Sequence, residues 1–225
     1  MLSVRLCESQ IGISMMKRET GSRESPIWLL GDSNPKNWHA DLATPFDPRH
    51  PAIHSIWTPI LEGIQDRLFR ASEIRVDTSP LYIRNAIENP SNKPPSNVKE
   101  WSPDISHETS LFGGLITRHM PRFVFSFGAF SFEFARRSLG EEPRMVYSKW
   151  GAKELGQQFR NRIGDFDIGS PNIIPLLHVS IARGRFMKAH EYYCDDPSAN
   201  YFEHVAEFVS RLLLAHSDEL GIWIH

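Results

Sequence analysis

The sequence predicts an α/β fold, a three-layer α/β/α sandwich around a central, mostly parallel four-stranded sheet. Three observations lead there. Four short apolar runs bounded by Gly, Pro or Asn have the length of buried strands. Helix-length segments separate them, and strands that alternate with helices pair in parallel. The chain also has 225 residues, of which 40% are hydrophobic. A chain of that size forms one domain that buries roughly 70% of its unfolded surface without disulfides or metal.

Residues 1–25 read as a flexible leader, polar from Lys17 to Pro26, and residues 26–225 as a single α/β domain. Ile27-Trp-Leu-Leu30, between Pro26 and Gly31, is the first strand. A polar, Pro-rich stretch runs from Asp32 to Pro51. Ile56, Ile60, Ile64 and Leu68 then recur every four residues, the stripe of a helix over 55–69 with Ser55 as its cap and Pro59 in its first turn. Leu81-Tyr-Ile83 is the second strand, ending at Asn85. Residues 88–104 contain Pro90, Pro94, Pro95 and Pro103 and read as an extended irregular loop, because Pro removes donors and fixes φ. A helix over 105–118 faces inward with Leu111, Leu115 and Ile116. Phe123-Val-Phe-Ser-Phe127 is the third strand, and Gly128 opens onto a helix from Ala129 to Ser138. The polar segment 139–170 carries no clear period. Asn172-Ile-Ile-Pro-Leu-Leu177 is the fourth strand, and Pro175 suggests an edge position or a bulge. A last helix, from about Asn200 to Ala215, places Phe202, Val205, Phe208, Val209 and Leu212 on one face.

Lys plus Arg total 25 against 27 Asp plus Glu, a formal net charge of −2. That excludes nucleic-acid binding through a uniformly basic surface, though a focused, salt-sensitive contact remains open. Cys7 and Cys194 cannot build a disulfide framework, and no apolar run has the length of a membrane span. The expectation is an intracellular, cytoplasmic monomer (nucleoid-associated in a bacterium) that does not bind membrane. His50 and His54 lie near Asp47, but Pro48 and Pro51 break any helix that would align them, so no metal is expected.

In parallel sheets ligands bind outside the carboxyl ends of the strands. Those ends carry Gly31-Asp-Ser-Asn-Pro35, then Asn85, then His178 within Leu176-Leu-His-Val-Ser-Ile-Ala-Arg183. An amide offers a donor and an acceptor and can pair with the edge of a base. A histidine can donate to an oxygen on which negative charge develops. Each also has a plainer reading. The first loop is an ordinary turn sequence, Asn85 can end a strand, and His178 can be a satisfied core histidine.

Taken in order, the segments Leu30-Gly31…Asn34-Pro35, Tyr82-Ile-Arg-Asn-Ala86 and His178-Val-Ser-Ile181 resemble the motifs of the uracil-DNA glycosylase superfamily. The resemblance extends as short motifs over roughly residues 26–215. It implies that Asn34 positions the attacking water, with Asp32 as a substitute if the loop is shifted. Phe46, twelve residues beyond Asn34, would stack on the flipped base, and Asn85 would read its pairing edge. His178 would donate to the departing base. Lys36, Ser180, Arg183, Arg185 and Lys188 would contact DNA, with His190 in the same positive loop. Neither cofactor nor metal is implied.

The departures are specific. One extra residue separates Gly31 from Asn34, and Lys36 follows Pro35 where members carry Tyr or Gly. Val179 and Ile181 replace two prolines, and Ala182 replaces a wedging Leu, which leaves Arg183 or Ile181 for that task. The expected function is removal of uracil or another deaminated or damaged base. The alternatives are a catalytically weak or inactive DNA- or nucleobase-binding protein on the same fold and, more remotely, a nucleotide-processing enzyme. The last lacks the Gly-Lys-Ser/Thr ending of a phosphate loop.

Overall fold

The computed structural model describes residues 19–34, 49, 58–182 and 187–224. Its strands are β1 (Glu19–Thr20), β2 (Ile27–Ser33), β3 (Arg75–Val76), β4 (Tyr82–Ile87), β5 (Phe123–Phe127), β6 (Asn172–Leu176) and β7 (Trp223–Ile224). Its helices are α1 (Thr58–Ser72), α2 (Pro103–His119), α3 (Ala129–Ser138), α4 (Ala152–Gly164), α5 (Val179–Ala182), α6 (Met187–Cys194), α7 (Tyr201–Ala215) and α8 (Ser217–Leu220).

The α/β class holds, and the sheet differs from the expectation in strand number and direction. It has five strands in the order β1-β4-β2-β5-β6, and a separate pair joins β3 to β7. β4, β2, β5 and β6 run parallel to their neighbours. The fifth strand, β1, pairs antiparallel with β4 through Glu19↔Arg84 and Thr20↔Ile83, so the sheet is mixed. Side chains hold it there. The Tyr82 hydroxyl donates to Glu19 Oε2 at 2.5 Å, and Arg84 Nη1 lies 3.6 Å from the same oxygen. Glu19 and Thr20, within the stretch read as a leader, therefore belong to the sheet edge.

Alternation along β2 directs its side chains to two faces. Ile27 and Leu29 line a cavity of about 30 Å³ together with Ile60 and Ile64 of α1 and Val209 and Leu213 of α7. That space holds a methyl group or a water, not a planar ligand. On the other face Trp28 meets Phe112 of α2, ring centroids 6.0 Å apart. The α1 stripe is buried at Ile60, Ile64 and Leu68 as its period predicts, and Pro59 sits in its first turn. The inward face of α2 is Ile105, Thr109, Phe112 and Ile116, while Leu111, expected to face inward, is 46% exposed. Starting the period at Ile105 brings Phe112 rather than Leu111 onto the buried stripe. In α7 the buried side is Tyr201, Val205, Ala206, Val209 and Leu213, flanked by partly buried Phe202, Phe208 and Leu212. Pro175 lies on β6, a sheet edge, where a missing donor is tolerated. The unreadable segment 139–170 folds as a 3-10 turn at Tyr147–Lys149 followed by α4. Among the described residues no helix is long and apolar enough to cross a membrane.

Candidate functional site

β2 lies between β4 and β5, and the chain crosses from one side of it to the other between those two strands. Ligands of open parallel sheets bind at such a reversal, beyond the strand ends. The strand order therefore sets Asn85, the end of β2, Gly128 and His178 in succession along one edge.

β2 and β4 are longer than their apolar runs suggest. The parallel ladder continues through Gly31↔Asn85 to Ser33↔Ile87, so Asn85 is inside its strand rather than past it. Its side chain lies across β2 because residue 31 has none: a Cβ at Gly31 would sit 2.2 Å from Asn85 Oδ1. In that position Asn85 Nδ2 donates to Asn34 Oδ1 at 2.6 Å. Both amides are buried, Asn34 at 3% and Asn85 at 6% exposure. Two residues 51 apart in sequence thus form one polar unit at the strand ends.

This geometry gives Gly31→Ala a definite outcome. The added methyl expels the Asn85 amide and leaves buried polar groups unpaired, a loss of about 1–3 kcal/mol in urea unfolding. In an Asn85→Ala background the same substitution costs much less, and the double-mutant cycle measures that difference.

A second cluster lies beside the first. Asp32 Oδ2 accepts an ion-paired hydrogen bond from Lys93 Nζ. Asp32 Oδ1 is buried and has no hydrogen-bond partner among the described residues. The Lys93 ammonium also lies 5.1 Å from the Phe130 ring centre and 5.4 Å from that of Tyr147. The Tyr147 hydroxyl donates to Pro94 O at 2.8 Å. Burial first, and then the charge of Asp32, hold the Tyr147 phenol above its ordinary value.

His178 follows β6 and begins α5, with the Ile181 and Ala182 amides bonded to its carbonyl. Its ring packs against the end of β5, where a Cβ at Gly128 would meet His178 Cβ at 2.8 Å. Gly128 also adopts φ +94°, a conformation that favours glycine. The Ser180 backbone N–H donates to His178 Nδ1 at 3.3 Å, and Ser180 Oγ lies 2.9 Å from the same nitrogen. An amide N–H can only donate, so Nδ1 is an acceptor and the neutral ring carries its proton on Nε2. Burial holds the imidazole below its ordinary pKa, with Asp32 acting in the opposite sense and Lys93 adding to the depression.

The structure thus unites Asn34 with Asn85 and places Asp32 and His178 within range of one another's charge. Ser180, expected at DNA, is exposed and also holds the histidine through its backbone N–H. Lys188 is exposed on α6, but His190, read with it as a positive loop, is buried with Nε2 2.8 Å from Ala182 O. Ile181 is partly buried against the core. Lys36, Phe46, His50, His54, Arg183 and Arg185 lie outside the described residues. Sequence reasoning missed Lys93, Phe130 and Tyr147. The one available signal was the position of Lys93 in the loop that follows β4, a carboxyl-end loop. No protein-family model matches the chain, and no curated protein matches it.

Proposed function

We propose that this protein is a DNA glycosylase-like enzyme that flips out uracil or another deaminated or damaged base and hydrolyses its N-glycosidic bond. The observation that carries this reading is the buried Asn34–Asn85 amide pair at the strand ends. An amide pair there can exchange its internal hydrogen bond for bonds to the edge of a heterocycle. The cost of flipping is a few kcal/mol, recovered by contacts to the extruded nucleotide.

As the bond between the sugar carbon and the base nitrogen breaks, its electron pair passes to the base. The neutral His178 ring then donates from Nε2 to the base oxygen where that charge collects. The water that attacks the oxocarbenium-like carbon passes a proton to Asp32 Oδ1, the unpartnered oxygen. Asp32 takes this role in place of Asn34, whose neutral amide cannot accept a proton. In this reading the helices on both faces form the three-layer sandwich. DNA is gripped through a local, salt-sensitive contact by a monomer that uses no cofactor.

The test is base release from duplexes each carrying one uracil, hypoxanthine, xanthine or mismatched base. Release from at least one of them is expected, and none across the panel overturns the reading. The Lys93–Asp32 ion pair and the internally bonded amides favour a second reading, a weak or inactive binder of DNA or nucleobases. Lesion-independent, salt-sensitive mobility shifts without release would support it, and the absence of binding at low salt would remove it.

A further inference from the structure

We propose that Lys93 is a positioning residue of this site: its ammonium, laid against Phe130 and Tyr147, binds Asp32 Oδ2 and leaves Oδ1 for a ligand or water at the strand ends that also carry His178.

The geometry fixes Lys93 from both sides. The 3-10 turn Pro90–Asn92 is capped by the Asn89 side chain, which accepts from the Ser91 amide at 2.9 Å, and the Lys93 amide bonds Pro90 O at 3.3 Å. The next residue, Pro94, is held by the Tyr147 hydroxyl. The ammonium therefore arrives over two aromatic rings with little freedom, and each such contact stabilises a cation. Its ion pair takes one carboxylate oxygen and leaves the other buried without a partner among the described residues. That division suits a lysine, a compact point charge. An arginine fork binds both oxygens of a carboxylate side by side. Among the described residues, Asp32 and Lys93 are the charged groups acting on His178, and they act in opposite directions. The Tyr147 phenol also faces Asp32, with its proton committed to Pro94 O.

The experiment follows the His178 ring proton against pH by NMR in the wild type, Lys93→Met, Lys93→Arg and Asp32→Asn, with circular dichroism as the check on folding. Loss of the cation in Lys93→Met moves the titration midpoint to higher pH. Lys93→Arg keeps it near that of the wild type, and Asp32→Asn lowers it. A midpoint that stays put or falls in folded Lys93→Met overturns the proposal. Lys93→Gln carries the same expectation, and failure of both variants to fold would show a structural prop and overturn it equally.

A second readout rests on the glycosylase reading. In base release, kcat falls at least about tenfold with KM unchanged in Lys93→Met, because the attacking geometry is loosened. It falls in Lys93→Arg as well, because the fork captures Oδ1. Unchanged kcat in both, in a protein that releases base, overturns the positioning role. A wild type that releases no base overturns the glycosylase reading alone, because the His178 titration decides the Lys93 proposal without it.

Discussion

Base release from a lesion-bearing duplex falls at least about a hundredfold in His178→Ala, the scale on which one donor to a developing oxyanion contributes. The reasoning runs through the proton on the ring. The Ser180 backbone N–H occupies Nδ1, which leaves the ring proton on Nε2, and that amide survives substitution of the serine side chain. Ser180→Ala is therefore expected to lose far less activity than His178→Ala. The pH dependence follows from the environment of the ring. Burial depresses the imidazole below its ordinary value of 6.5, so the neutral donor persists as the solution is acidified through that pH. The acidic limb of kcat then lies below 6.5. The same depression means that the folded protein binds fewer protons than the unfolded chain between the two pKa values. Stability therefore rises with pH through that window and is lost on acidification, and His178→Ala removes its share of that dependence while leaving that of His204, which burial also holds low. Measured rates that climb as pH drops through 6.5 would point to an imidazolium donor and sink this account.

What could be read in the residues beforehand tracks how far each feature depends on its own neighbours in sequence. β5 and α3 follow from a local apolar run, a glycine and an amphipathic turn, and they appear where expected. β4 is longer than its apolar core because two polar residues inside it are satisfied by distant partners. Arg84 reaches Glu108 at 3.3 Å and lies over the Phe112 ring, while Asn85 binds Asn34. Neither partner is visible along the chain, so the strand reads as ending where its polarity begins. β1 is two residues long and owes its place to Glu19. α4 hides for another reason: it buries only Leu155, Gly156 and Phe159, too narrow a stripe to register as a period. Its glycine is required, because a Cβ at Gly156 would sit 2.0 Å from Tyr193 O on α6. The amides and the histidine of the site stood out because each belongs to a short ordered motif. Lys93 did not, because a lysine in a proline-rich loop looks like any solvated charge until Asp32 and two rings are brought to it.

The largest loss of stability is expected from Glu133→Ala, about 3–5 kcal/mol in equilibrium unfolding. Glu133 is fully buried on α3 and accepts four hydrogen bonds, two at each oxygen. Arg136 Nη1 and Trp150 Nε1 reach Oε2 at 2.8 Å, while Arg137 Nε at 2.9 Å and the Met145 amide at 2.8 Å reach Oε1. Removing the carboxylate strands two nearly buried guanidinium groups. Glu141 relieves only Arg136, at 3.1 Å, and is itself shared with Arg162 at 2.6 Å. Against a total stability of about 5–15 kcal/mol, that loss takes a large share and at the low end of the range unfolds the protein. Glu133→Gln keeps the shape but turns an NH2 toward two donors, so it recovers little. Replacing Glu133, Arg136 and Arg137 together by apolar residues of similar volume recovers much of the loss, because no uncompensated charge then stays buried. The same anchor holds Met145 and Trp150 on either side of Tyr147, the ring that carries Lys93. Weakening it therefore loosens the site as well as the fold, and the pH titration of His178 in Glu133→Gln should drift toward that of Lys93→Met. A Glu133→Ala protein that loses less than about 1 kcal/mol would mean that water reaches these arginines, and the anchor would then hold neither the helix nor the ring.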